Sequence, residues 1–165
     1  MSYDAFLYFD KIVKGETLDK EFSAKHAIQV YSFSWGLSNP SSVGHGKGLG
    51  AGKVDISAVS IMKRVDSASS DLMLCCAAGQ HLGTATMVLR KAGGDKALHY
   101  LTFTLTDVMI DSVQVSGSSG GDDYPMESVS IAFAQVKMSY LPQKEDGTGD
   151  TAKEFGWNME TNVKA

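Results

Sequence analysis

Apolar and polar residues alternate with period two along most of the chain, the pattern of strands with one buried face. The clearest case is residues 100–106, YLTFTLT, where Leu101, Phe103 and Leu105 share one side and Thr102, Thr104 and Thr106 the other. Residues 28–35, IQVYSFSW, alternate too and predict one strand, with Tyr31, Phe33 and Trp35 on one side and Val30, Ser32 and Ser34 on the opposite side. Further strands are predicted at 3–9, 54–65, 84–90, 108–115, 127–140 and 155–163. Within 127–140 the phase slips. Val129, Ile131 and Phe133 are in step, then Val136, Met138 and Tyr140 take over the apolar role. One extra residue near Ala134-Gln135 restores the pattern, so a β-bulge is expected there.

A single segment reads as helix. Ser67 to Ser70 supply capping oxygens and Asp71 places negative charge in the first turn. Leu72, Cys75, Cys76 and Gly79 lie roughly along one face, and Gly79 is a natural stop. Seven or more strands and one short helix predict a mainly β fold, an antiparallel β-barrel of two curled sheets with the helix packed on it. Loops fall at 39–53, 91–97, 116–126 and 142–154. None divides the chain, so residues 1–165 are expected to form a single domain carrying an extended Gly-rich loop at 39–53.

Composition narrows the function. The 165 residues are 43% apolar with a net charge of −4, enough for a core and without a cationic footprint for nucleic acid or an anionic membrane. No apolar run is long enough for a membrane-spanning helix, so no membrane insertion is expected. In MSYDAFLYFDKIVKG, Asp4 comes early and Asp10 interrupts the apolar run, which does not suit a cleavable secretory signal. Synthesis in the cytoplasm is expected, with any export by another route. The two cysteines, Cys75 and Cys76, are adjacent and could pair only through a strained ring. They read as small apolar helix residues.

The stretch 44–54, GHGKGLGAGKV, invites comparison with phosphate-binding loops. As a Walker loop ending at Gly52-Lys53 it has Lys47 where the first glycine belongs and Val54 where a magnesium-binding hydroxyl belongs. As a dinucleotide loop, Gly46, Gly48 and Ala51 need a helix directly after them, but VDISAVSIMKRVD is β-branched and alternating. Residues 117–121, GSSGG, match G-x-S-x-G around Ser119, yet a turn and another strand follow instead of a helix. His26, His45, His81 and His99 have no metal-ligand spacing with each other or with the cysteines, and read as surface or loop side chains. Trp35 and Trp157 read as core or interface anchors. No catalytic constellation is assembled, and neither a metal nor a cofactor is expected.

Seven stretches in order resemble the haemolysin-coregulated protein family, the tube subunit of the bacterial type VI secretion system. They are Phe9-Asp10 with Lys14-Gly15-Glu16, Ser32-Phe-Ser-Trp-Gly36, Gly50-Ala-Gly-Lys-Val54, Leu89-Arg-Lys-Ala-Gly-Gly94, Tyr100-Leu-Thr-Phe-Thr-Leu-Thr-Asp-Val108, Glu127-Ser-Val-Ser130 and Gly156-Trp-Asn158. The chain departs from the family in Ser69-Ser-Asp71, where Ser-Pro is frequent, and in a slightly longer DKIVKGE. The resemblance implies a non-enzymatic tube protein. Six copies form a ring, and rings stack into a hollow tube inside a contractile sheath, capped by a spike protein. The tube is exported without a cleavable signal, with effector proteins carried in its lumen.

On that reading Gly44, His45, Gly46, Lys47, Gly48, Leu49, Gly50, Ala51 and Gly52 belong to a loop that contacts other subunits or rings. The aromatic face of 28–35 is expected inside the barrel, which leaves Ser32 and Ser34 as candidates for the lumen and for effector contact. Three alternatives fit the residues. A tube protein of a phage tail or another contractile injector shares the same physics. A monomeric β-barrel ligand-binding module fits the strand pattern alone. A hydrolase would use Ser119.

Overall fold

A computed structural model describes residues 2–40, 52–91, 97–121 and 123–165. Strand β1 (Tyr3–Phe9) leads into a strap, residues 10–27, that ends in a 3-10 turn at Ser23–Lys25. There follow β2 (Ile28–Val30), β3 (Ser32–Ser34), β4 (Leu37–Ser38), β5 (Asp55–Ile56), β6 (Val59–Arg64) and helix α1 (Ala68–Ala78). The rest is β7 (Thr84–Lys91), β8 (His99–Thr106), β9 (Met109–Ser116), β10 (Met126–Ala132), β11 (Gln135–Tyr140), β12 (Lys153–Asn158) and β13 (Val163–Lys164).

Seven strands form one sheet in the order β13-β12-β11-β8-β7-β1-β2, four form a second in the order β3-β6-β10-β9, and β4-β5 is a separate ribbon. The strand pairings are antiparallel. The inner faces of the two large sheets share one core, with Leu7, Met87 and Leu105 from the first and Ile61, Val129 and Ile131 from the second. The mainly β antiparallel class with one α-helix is therefore observed. Among the described residues the hydrogen bonding does not run unbroken around the barrel, and β9 and β13 remain edges.

The sheets are joined where the chain crosses between them, and these crossings change two expected strands. Residues 28–35 are not one strand. Val30 is buried in the seven-stranded sheet, the chain bends at Tyr31, and Phe33 faces the core from the four-stranded sheet. The bend exposes 45% of Tyr31, so this ring lies outside the barrel and only Phe33 and Trp35 pack on the core. The phase slip at 134–135 is likewise a crossing and not a bulge. Ile131 and Phe133 are buried before it, and Val136 is buried from the other sheet after it. Tyr140, at the far end, is 44% exposed. A register shift does occur on β10 at Ser130/Ile131, where its partner β9 has the extra residue Asp111.

Residues 54–65 divide into β5 and β6, and the last expected strand ends at Asn158, with β13 following a turn. Helix α1 ends as expected. Gly79 adopts φ +61, and Gly79 and Gln80 donate their N–H groups to Cys76 and Cys75 carbonyls. A side chain there would be strained, which is why glycine suits this stop. Its start differs from expectation. The Ser67 hydroxyl makes no cap and donates to the Lys14 carbonyl, while Asp66 Oδ1 accepts from Ala68 N–H at 2.9 Å. Leu72 and Cys75 are buried, Cys76 is half-buried, and Met73 and Leu74 face outward. Both cysteines are free, and burial, with the nearby Asp71 charge, pushes the Cys75 thiol pKa up.

Candidate functional site

The ribbon is where the Gly-rich loop leaves the body. Leu37 pairs with Ile56 and Ser38 with Asp55, and the Ser57 hydroxyl binds both the N–H and the carbonyl of Gly36. Leu37, Ser38 and Asp55 are exposed, Leu37 by 48%. At the open end of the ribbon Gly52 lies against Pro40. A Cβ on Gly52 would sit 2.6 Å from the Pro40 carbonyl oxygen, so the two arms meet this closely only because residue 52 is glycine. The loop residues Gly44, His45, Gly46, Lys47, Gly48, Leu49, Gly50 and Ala51 lie outside the described residues.

Ser32 and Ser34 are exposed on the outer face of the four-stranded sheet. Register extends that face. Ser34 lies opposite Ser60, Ser60 opposite Ser130, and Ser130 opposite Ser112. The next row out runs Ser32, Met62, Ser128, Gln114. Between these rows Phe33, Ile61, Val129 and Val113 point inward. The result is a surface of small hydroxyls, one thioether and one amide with no charge among these eight positions. The sequence reading missed Ser60, Ser112, Ser128 and Ser130. Their alternation with Val and Ile was visible, but only strand register shows that they abut Ser32 and Ser34.

Buried charge holds this sheet to the helix. Lys63 and Glu127 are fully buried and form an ion pair; Lys63 Nζ also lies 2.8 Å from Asp66 Oδ1 and from the Arg64 carbonyl. The Ser69 hydroxyl donates to Glu127 Oε2 at 2.7 Å and accepts from Asp66 N–H at 2.9 Å. The strap is held separately on the outside of the seven-stranded sheet. Phe22 stacks on Phe6 at 4.4 Å, and Arg90 reaches Asp19 at 2.6 Å and Asp4 at 3.3 Å. The Arg90 hydrogen bond holds the Asp19 pKa below the usual carboxylate value, and the same contact raises that of Arg90. His99 lies on β8 and not in a loop, with Nε2 2.9 Å from Glu21.

Ser119 sits in the turn between β9 and β10, and the element after it is a strand. Among the described residues no three His, Cys, Asp or Glu side chains converge as a metal site, and no helix is long and apolar enough to cross a membrane. Trp35 packs edge-on to Phe103 at 5.8 Å and Trp157 packs on the core, so both act as anchors.

The family model described as "Type VI secretion system effector, Hcp" matches residues 6–140. The chain is 41% identical to Protein hcp1 of Pseudomonas aeruginosa, with all of both chains covered. A solved structure of a type six secretion system protein matches with a TM-score of 0.90 at 31% identity, covering 99% of this chain and 100% of that one. Hcp1 from Salmonella typhimurium matches with a TM-score of 0.80 at 33% identity over the full length of both. With the family model spanning most of the chain, and a relative this similar from end to end, the protein belongs to the Hcp family of secreted type VI secretion tube proteins, which are structural and not enzymes.

Proposed function

We propose that the whole chain, residues 1–165, acts as one tube-subunit domain, that six copies close into a ring, and that rings stack into a hollow tube. The tube is sheathed, capped by a spike protein and exported with effector proteins in its lumen. Full-length likeness to Hcp proteins supports the tube role. The observation that carries the lumen assignment is the uncharged serine face around Ser32 and Ser34. A conduit for varied proteins should hold each weakly. Small hydroxyls offer hydrogen bonds without the long-range attraction or repulsion of fixed charge. The exposed ribbon and its loop, Gly44 to Gly52, supply contacts between subunits or rings.

Ser34→Gln tests the lumen face. It adds bulk and an amide at an exposed position without touching the core. Native mass spectrometry should show rings as in the parent, while effector co-purification falls several-fold. Intact rings with unchanged effector binding would place this face elsewhere.

A further inference from the structure

The uncharged serine face is bordered by one cation. Strand β6 alternates, with Val59, Ile61 and Lys63 buried and Ser60, Met62 and Arg64 on the outer side, so Arg64 begins the row beyond Ser32, Met62, Ser128 and Gln114. That row runs Arg64, Met126, Ser116. The Arg64 guanidinium lies between two aromatic rings, 5.0 Å from the Tyr31 centroid and 5.2 Å from that of Tyr124. All three side chains are exposed, and Arg64 makes no ion pair with any described residue. Beside the stack is a pocket of about 210 Å³, lined also by Glu16, Thr17, Gln29 and Asp66. Asp66 is already engaged, 2.8 Å from Lys63 Nζ and accepting from the Ala68 N–H at 2.9 Å.

We propose that this pocket is a carboxylate site, and that the group it takes is an aspartate or glutamate side chain on a protein segment lying against the serine face. The two tyrosine rings restrain the guanidinium plane. A planar fork held in this way offers paired N–H groups to a carboxylate with little freedom left to lose. Thr17 and Gln29 supply hydroxyl and amide hydrogen bonds for the peptide groups that flank the acid. Glu16 limits the charge that is admitted, because a dianionic phosphate meets twice the repulsion from it that a single carboxylate does.

One exposed ion pair holds weakly. Six copies around a ring act together through effective concentration, so a cargo protein with several acidic side chains is retained while each contact still opens readily. This step rests on the proposed ring and lumen face; the carboxylate site on each subunit does not.

The full chain labelled at its methionine methyl groups tests the site in whatever assembly it adopts. Met62 and Met126 adjoin Arg64 on the face, whereas Met109 is at the far end of β9. The probe is the N-acetylated, C-amidated pentapeptide Gly-Ser-Glu-Ser-Gly. Its titration should shift the Met62 and Met126 methyl resonances saturably and leave that of Met109 in place. Glutamine for glutamate in the peptide, or Arg64→Gln in the protein, should weaken binding about tenfold. Arg64→Lys keeps the charge without the fork and should weaken it several-fold. An unmoved Met109 signal in each variant reports an intact fold. No saturable shift, equal binding of the glutamine peptide, undiminished binding by Arg64→Gln, or tighter binding of the phosphoserine counterpart would overturn the site. Effector co-purification reads the cargo role separately, and Arg64→Gln should lower it several-fold with rings intact. If Ser34→Gln lowers it and Arg64→Gln does not, the lumen reading stands and the cargo role of Arg64 fails. If neither lowers it, the lumen reading fails and the peptide titration alone decides the site.

Discussion

Lys63 and Glu127 are charged side chains with no exposed surface. Both come from strands of the four-stranded sheet, and Ser69 and Asp66 bring the start of α1 to the same point. Removing one partner leaves the other charge buried. Lys63→Met should therefore cost about 3–5 kcal/mol in denaturant unfolding. Lys63→Met with Glu127→Leu should recover most of that loss, because two apolar side chains of similar volume avoid the desolvation of both ions. A double variant as unstable as the single one would contradict this account of the pair. The strap shows the opposite regime, a partly exposed clamp. The ordinary pKa for Asp19 is 3.8, and Arg90 lowers it. Its contribution is present above the unfolded value and is lost as pH falls through the folded one. Asp19→Asn should cost about 1.5 kcal/mol at pH 7. The gap to the parent should close well below pH 3.8, where both side chains are neutral. Urea unfolding at a series of pH values measures it, and a gap that persists in acid would be contrary. Sequence alone exposed neither device. Lys63 and Glu127 are 64 positions apart, and an alternating strand gives no sign that one inward position carries charge.

At the scale of elements, strand positions were readable because burial of one face imposes period two. Partners and breaks were less readable. The chain turns from one sheet to the other at Tyr31 and at Phe133-Ala134, and in one-dimensional pattern a change of sheet resembles a continuous strand or a bulge. The helix stop was legible because Gly79 takes a positive φ that other residues resist, whereas its start was misplaced because Asp66 caps from outside the serine run. The serine face needed register, which local alternation does not carry. The ribbon is not hydrogen-bonded into either large sheet, and Ile56 is its one residue packed against the core, so its open end at Gly52 can be altered with little disturbance of the core. Gly52→Val puts a side chain into the Pro40 carbonyl and should pry the arms of the loop apart. Circular dichroism and the unfolding midpoint should match the parent, while export through the secretion apparatus falls several-fold. Normal export with that side chain in place would remove the ribbon from the assembly role.

At the scale of the molecule, the fold presents dissimilar surfaces: an uncharged serine face, a face crossed by the strap, and a ribbon outside both large sheets. A chain acting alone has no need to keep Leu37, Leu74, Tyr31 and Tyr124 exposed together, although single exposed apolar residues are ordinary. Self-assembly gives such surfaces a partner. A ring needs one surface of each copy to meet a different surface of the next, with a rotation that closes. The measurement that tests this most directly is native mass spectrometry of the purified protein at micromolar concentration, with negative-stain imaging of the same sample. The predicted result is a species of six times 17.7 kDa that images as a ring with a central hole. A species of 17.7 kDa alone, with no ring in the images, would contradict it.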